Sequence, residues 1–224
     1  MAVLSVQPIN LLEVDSLYQQ VQAELPDSIR LRVHRAMSWL KQAQQSDTED
    51  MRFMCLWVAF NAAYARDLQV RTGGGDLVGT RDFLLKMCRF QPKVLTHLVW
   101  DIYPQGIRQL LENRYVFQAF WDHHNGMLSE EAWQASFNKA KRKGLEALKN
   151  KDTADILMMV YERIYTLRNQ IFHGGATFGS KVNRLQLKSA LGILADTIPV
   201  FLVVMLKHPN ETVWGRPYYP LVKD

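Results

Sequence analysis

The hydrophobic and polar positions along this chain repeat with the period of an α-helix from one end to the other. Apolar residues recur every three or four positions in successive segments, which places them on one face of a helix. No stretch of useful length alternates between apolar and polar residues as a half-buried strand would. The pattern therefore predicts an all-α protein.

Spacing, caps and breakers together predict where these helices begin and end. The expected helices cover about residues 10–24, 26–45, 46–70, 81–90, 92–103, 106–123, 130–149, 152–173 and 183–207. Ser46, Ser129 and Asp152 are placed to cap the helices that follow them. Pro199 is expected to kink the last helix, and the tail from residue 209 to lie extended.

Length and composition bound the type of protein. The 224 residues, 48% of them apolar, can form a packed core, and the chain is expected to be a single domain. The most apolar run, residues 190–206, contains Asp196 and Pro199, which predicts a buried helix and no membrane span. We expect no signal peptide. Cys55 and Cys88 have no metal-site spacing, so a reduced, cytoplasmic location is expected.

The charge balance is mildly basic. Lysine and arginine outnumber the acids by 27 to 22, a net charge of +5, which favours polyanionic partners without requiring one. The densest basic segment contains Lys139, Lys141, Arg142, Lys143, Lys149 and Lys151. It is either a solvated helix face or a patch that contacts phosphates. In the second case Lys141, Arg142 and Lys143 are candidate substrate contacts.

The strongest chemical signal stands at the end of the helix predicted after Asp152. Arg168, Asn169 and His173 come directly before Gly174 and Gly175, where a glycine is typical of a helix stop. Arginine can hold a phosphate through paired hydrogen bonds, and a neutral histidine can accept a proton near neutral pH. These groups suit cleavage of a phosphodiester without a metal ion.

Helical geometry divides this segment into faces. One apolar stripe is expected to face the core and contains Ile156, Val160, Ile164, Leu167 and Ile171. The opposite stripe is predicted to be polar and contains Glu162, Thr166, Asn169 and His173.

In this context the chain resembles the HEPN family of all-helical domains, particularly its larger variants. Arg168, a polar Asn169 and His173 match the family motif, with four residues between the arginine and the histidine. The segment from Trp57 to Tyr64 resembles the second core helix of those variants. The resemblance implies a HEPN-like core at about residues 27–70 and 152–207, a helical insertion at about 80–150 and a C-terminal tail at 209–224.

Many HEPN proteins are metal-independent ribonucleases, so the resemblance implies a catalytic site made of Arg168, Asn169 and His173. The RNA 2′-hydroxyl would attack the adjacent phosphate and leave a 2′,3′-cyclic phosphate. His173 would act on a proton, Arg168 would stabilise phosphate charge, and Asn169 would orient the phosphate or the imidazole. No cofactor is expected.

One histidine cannot easily serve both sides of an in-line displacement. In an ideal helix Arg168 and His173 also point roughly 140° apart. A homodimer in which two motif helices meet would resolve both difficulties, and family dimers are built in this way. One branch of family toxins carries a tyrosine two positions after the motif histidine, where a partner enzyme can modify it. This chain has Gly175 at that position, so regulation by tyrosine modification is not expected. Regulation by an antitoxin that occludes the site remains open, as do roles in toxin–antitoxin pairs, phage defence or RNA processing.

Several alternatives stay open. A noncatalytic HEPN module could bind RNA, a nucleotide or a protein through the same cleft, and a structural dimer could pair Arg168 and His173 with core acids. Asn61 and Tyr64 could contact the motif or serve only in packing. The neighbouring His123 and His124 diverge on a helix and have no carboxylate cluster, so a structural role is favoured over a metal site.

Overall fold

A computed structural model of the protein describes residues 9–65, 75–211, 214–217 and 219–220, apart from the side chains of 75–78. These residues are mostly α-helical and contain no β-strand, which confirms the predicted all-α class. The helices are α1 (Leu11–Val21), α2 (Asp27–Gln45), α3 (Glu49–Tyr64), α4 (Gly75–Phe90), α5 (Pro92–His97), α6 (Pro104–Glu112), α7 (Gln118–His124), α8 (Glu130–Lys149), α9 (Thr153–Phe172) and α10 (Arg184–Lys207).

The chain divides into two compact units. The first contains residues 1–98 and 191–224, and the second contains residues 99–190. Helices α2 and α3 therefore belong to the first unit, whereas α9 belongs with α6, α7 and α8 to the second. The predicted core segment 27–70 thus belongs to the first unit, whereas the segment 152–207 is divided between the units after residue 190 and the predicted insertion 80–150 after residue 98. The HEPN-specific arrangement and the single-domain organisation stay predictions.

Aromatic side chains from distant parts of the sequence form the centre of the first unit. The Phe83 ring lies 5.4 Å from Phe201, 5.9 Å from Trp214 and 6.1 Å from Phe60 between centroids. All four side chains are buried. These contacts connect α3, α4, α10 and the chain after α10 into one apolar cluster, and ring pairs at such distances add to the burial energy.

A buried arginine provides the polar counterpart of this cluster. Arg32, 1% exposed, donates from Nη1 to the carbonyl of Ala63 at 3.0 Å and from Nη2 to that of Trp214 at 2.7 Å. The Ala63 carbonyl is one of the last four of α3, which no intrahelical partner can satisfy. Arg32 thereby links α2 to the end of α3 and to the tail.

Most predicted helix boundaries are close to the observed ones, but both ends of α3 are wrong and α4 begins at Gly75, six residues before the predicted start. Ser46 does not cap α3, because Thr48 accepts the bond from the Met51 N–H and Ser46 instead donates to the Gln42 carbonyl. Helix α3 ends at Tyr64, not near residue 70, because Ala65 adopts extended backbone.

The helices predicted at 92–103 and 106–123 are each interrupted. The first changes at Leu98 into a π-helical turn through Ile102. The second breaks at Asn113, whose backbone is extended and whose side chain caps a 3-10 turn, Arg114–Val116. In contrast, the predicted caps Ser129 and Asp152 are confirmed, accepting bonds from the N–H groups of Ala132 and Asp155.

Helix α10 is apolar over most of its length. Among the described residues it is the one helix long and apolar enough to cross a membrane by length and composition. However, 78% of its most apolar 18-residue window is buried inside the protein, which is typical of a core helix. Pro199 lies within this helix, and the predicted kink stays a prediction.

We expect Arg32→Met to lower the free energy of unfolding by about 2–5 kcal/mol, because it leaves buried carbonyls without donors. The matched control is Arg30→Met on the same helix, where an exposed ion pair with Asp27 is worth below about 1 kcal/mol. Urea unfolding followed by circular dichroism measures both. Equal losses in the two variants would contradict the structural role of Arg32.

Candidate active site

Helix α9 carries the Arg168, Asn169 and His173 motif and is fixed at both ends within the second unit. Near its start, Trp100 Nε1 donates to Thr153 Oγ1 at 2.9 Å. Near its end, the amide of Gln170 donates to the backbone carbonyl of Tyr115. The polar groups at the end of α9 are therefore held on a rigid element, which a precisely positioned site needs.

Arg168 is half-buried and held by its own helix. Its Nη1 donates to Asn169 Oδ1 at 3.0 Å, and its guanidinium carbon lies 4.6 Å from the centroid of the Phe172 ring. Its Nε is buried without a hydrogen-bond partner. Within the described part of the chain Arg168 forms no ion pair with an acid, so most of its donors remain available to a ligand.

Asn169 completes this pair. Its side-chain oxygen accepts from Arg168, while its amide nitrogen has no partner among residues 9–65, 75–211 and the described tail. The oxygen is thereby assigned to Arg168 and two N–H donors are left free. The arrangement presents guanidinium and amide donors side by side, which suits the oxygens of a phosphate.

His173 stands at the point where the helix stops. Its backbone N–H still donates to the Asn169 carbonyl at 3.0 Å, but Gly174 has φ of +74° and ends the helix. This confirms the predicted glycine stop. The imidazole is exposed and makes no hydrogen bond to any described residue, so it is free to exchange a proton with a ligand.

The predicted polar stripe of α9 is only partly polar surface. Glu162 and His173 are exposed and Asn169 is half-buried, but Thr166 is 4% exposed. Its hydroxyl donates back to the Glu162 carbonyl at 3.2 Å, which satisfies it without solvent. Thr166 is therefore a member of the polar stripe that does not face solvent, because a threonine can satisfy its hydroxyl within the helix.

Asn61 and Tyr64, which were predicted as candidate substrate contacts, lie on α3 in the first unit. Tyr64 is buried, and its ring lies 4.5 Å from Phe60. Asn61 is half-buried, and its Oδ1 is buried without a hydrogen-bond partner. Tyr64 thus has a packing role, while a contact of either residue with the motif stays a prediction.

The three predicted basic contacts of α8 differ in their surroundings. All are exposed. Lys143 pairs with Asp155 at 3.2 Å, whereas Lys141 Nζ lies 5.9 Å from the centroid of Phe137. Arg142 has no partner among the described residues. Lys141 and Arg142 are therefore the two of these cations left free for an anionic ligand.

Sequence reasoning missed Arg163, a buried cation on α9. It is 5% exposed and lies against Phe117, with its guanidinium carbon 4.4 Å from the ring centroid. Burial lowers the pKa of Arg163 to about 10, and the nearby charge of Glu162 opposes this shift. The helical wheel places Arg163 beside the apolar stripe, where a long side chain usually extends to water. Only the packing shows that nearly all of the side chain, including Nε, is buried.

The paired histidines have structural partners. His123 Nδ1 lies 3.0 Å from the Leu128 carbonyl, and His124 Nδ1 lies 2.8 Å from the Phe120 carbonyl. A neutral imidazole can donate its N–H to such an oxygen. Among the described residues, no group of three or more His, Cys, Asp or Glu side chains is placed to hold a metal ion.

No family model matches the chain, and neither a curated protein nor a solved structure matches it. The chemical meaning of the site therefore depends on its own residues and their geometry.

We expect Gly174→Val to destabilise the fold by about 1–2 kcal/mol, because a β-branched residue is strained at positive φ. A Cβ there meets nothing within 4 Å, so the cost comes from the backbone alone. Gly174→Asn is the matched control, since asparagine tolerates this conformation better. Urea midpoints compare the variants, and equal midpoints for Val and Asn would count against the cap.

Proposed function

We propose that this protein is a HEPN-type endoribonuclease that cleaves RNA with Arg168, Asn169 and His173. The observation that carries the proposal is the arrangement at the end of α9. A guanidinium paired to an amide stands within the last turns, and an exposed, unbonded imidazole follows at the helix stop. Phosphate donors and a proton acceptor are the groups that phosphodiester cleavage requires.

The reaction follows from these groups. The RNA 2′-oxygen attacks the adjacent phosphorus and forms the new O–P bond, while the bond to the 5′-oxygen of the next nucleotide breaks. His173 takes the proton of the 2′-hydroxyl or supplies the proton that the leaving oxygen needs. Arg168 and Asn169 donate to the phosphate oxygens, where negative charge builds up in the transition state. The products are a 2′,3′-cyclic phosphate and a 5′-hydroxyl.

The distribution of charge supports an RNA substrate. Residues 99–190 contain 13 lysines and arginines against 9 acids, a net charge of +4 out of +5 for the whole chain. The unit that carries the motif thus holds nearly all of the excess positive charge. Such a bias attracts a polyanion at long range and strengthens its binding at low salt.

We further propose that two copies of the chain complete the site. His173 is a single proton-transfer group, and the reaction needs a base at one oxygen and an acid at the other. Directly after the motif, Phe178, Val182 and Leu185 are 67%, 87% and 67% exposed. Three large apolar side chains so exposed within eight residues of sequence favour a protein contact. A twofold contact here would bring two His173 side chains toward one cleft.

Cleavage is tested with Arg168→Ala and His173→Ala in the presence of EDTA. Each change should lower the cleavage rate by about 10²–10⁴-fold, because each removes a group that acts in the transition state. Arg108→Ala and His34→Ala, both exposed residues of the same types, are the controls and should cleave like the parent. The readout is the formation of cyclic-phosphate RNA ends.

Two results would contradict the cleavage proposal. If the motif variants cleave as fast as the parent, these residues are not catalytic. If the parent binds RNA but yields no cyclic-phosphate ends, the protein is a noncatalytic RNA-binding module.

Dimerisation is tested by sedimentation velocity at micromolar concentration. The parent should sediment as a dimer, and Phe178→Asp should shift it toward monomer because a charge cannot be buried unpaired at the contact. Leu12→Asp, at a residue 78% exposed in the first unit, is the control and should leave the dimer intact. A parent that is monomeric throughout this range would refute the composite site.

A further inference from the structure

Arg163 is a buried charge without a polar partner. Its side chain is 5% exposed, its Nε is fully buried, and it makes no hydrogen bond or ion pair with any residue in the described ranges. Its pKa of about 10 is lower than usual because of desolvation, yet it keeps the group charged at neutral pH. Burying most of a cation without a protein acceptor is costly to the fold, and the two terminal nitrogens of Arg163, unlike its Nε, keep accessible surface where a ligand can meet them.

The contact between this guanidinium and the Phe117 ring is the first step of a longer series. Its carbon lies 4.4 Å from the Phe117 ring, Phe117 lies 5.1 Å from the Phe137 ring, and Lys141 Nζ lies 5.9 Å from Phe137. We call these four residues the cation–aromatic row. Both rings are half-buried and Lys141 is exposed, so the row leads from the interior of the second unit to its surface.

The row joins parts of the chain that are far apart in sequence. Arg163 comes from α9, Phe117 from the junction before α7, and Phe137 and Lys141 from one face of α8 at a spacing of four residues. Beside it, Arg114 lies 5.0 Å from the ring of Tyr115, which is 43% exposed. A second cation–ring pair therefore stands two residues from Phe117.

The chemistry of the row selects its ligand. Aromatic faces stack with nucleic-acid bases, while guanidinium and ammonium groups bind phosphates. An acidic protein surface would satisfy the cations but would make no use of the rings. No described residue forms an ion pair with Arg163, and the nearby charge of Glu162 only partly opposes the lowering of its pKa by burial, so the group stays cationic.

We propose that the cation–aromatic row is a second RNA-binding site, separate from the Arg168, Asn169 and His173 motif. Arg163 binds one phosphate, Phe117 and Phe137 stack with adjacent bases, and Lys141 binds a further phosphate. This proposal rests on the proposed function, because RNA was chosen as the ligand on that basis.

Binding is measured by fluorescence anisotropy with a fluorescein-labelled oligouridine of about ten nucleotides, the length that single-strand sites commonly cover. Every ribose carries a 2′-O-methyl group, so no cleavage can occur. Arg163→Met should weaken binding about tenfold and Phe117→Leu by a similar factor. Lys141→Met should lower the slope of log affinity against log salt by about one. Arg108→Met is the matched control and should bind within about twofold of the parent.

Urea unfolding separates ligand binding from a structural role. Arg163→Met should be at least as stable as the parent, because the substitution removes an uncompensated buried charge and keeps an apolar chain of similar length. Loss of stability together with loss of binding would assign Arg163 to the fold and overturn its role in binding. Since Lys141 is exposed, Lys141→Met tests the row even if Arg163→Met fails to fold.

Two further outcomes would overturn the proposal. One is binding within about twofold of the parent by all three variants of the row. The other is displacement of the RNA by polyglutamate at equal charge, which would show that negative charge alone is recognised. If the parent protein binds RNA through the row but does not cleave unmodified RNA, only the ribonuclease proposal fails. If the parent protein cleaves RNA and the row variants bind like the parent, only the proposal of a second RNA-binding site fails.

Discussion

A buried guanidinium stays charged at neutral pH, so the fold around it has to supply oxygens or an aromatic face. Arg32 meets this constraint with backbone carbonyls from the end of α3 and from the tail, segments that are far apart in sequence. The first unit depends on this interaction, because without it three segments would lose a common polar anchor in an apolar interior. Arg163 faces the same constraint in the second unit, where the described residues offer it the ring of Phe117 and the nearby charge of Glu162 but no hydrogen-bond acceptor. Arg32 is therefore a structural charge, whereas the donors of Arg163 are left available to a ligand.

The end of α9 shows how helix geometry sorts chemical roles. Arg168 points along the flank toward Phe172 and is held by Asn169, so its direction is fixed before a ligand arrives. His173 lies one step beyond the last helical residue, where the positive φ of Gly174 turns the chain. Its imidazole is thereby free of the helix packing that restrains Arg168. A rigid phosphate-binding pair and a less restrained proton-transfer group would suit the two tasks proposed for them.

The ends of helices could be predicted from the sequence where a single residue, a cap or a glycine, determines them. Ser129 and Asp152 cap their helices as expected, and α8 begins and ends at the predicted residues. The glycine stop after His173 was predictable for the same reason. Where two signals compete, sequence alone fails. Thr48 and Ser46 are both good caps, and only the path of the chain between α2 and α3 selects Thr48.

The burial of charged and polar side chains was the least predictable feature. Thr166 lies on the solvent side of an ideal wheel, yet it is buried and bonded to its own helix. Arg163 and Arg32 carry full charges and would be assigned to the surface by residue type alone. Their positions depend on which segments pack against them. Arg168, Asn169 and His173, in contrast, lie near the end of a helix. There the local sequence has the greatest influence on how exposed a side chain is.

The position of Arg163 relative to the motif limits how RNA could use both. Arg163 and Arg168 are five residues apart, so an ideal helix directs them about 140° from each other. Around the helix axis, the shorter way from Arg163 to Arg168 crosses the apolar stripe of α9. The longer way crosses the exposed face that carries Glu162 and His173. A helix with side chains is about 10–12 Å across, so one phosphate cannot contact both guanidinium groups. In the proposed complex the two arginines would therefore contact different nucleotides. This separates their effects in principle: a group distant from the scissile phosphate contributes to binding, whereas a group at that phosphate contributes to the chemical step.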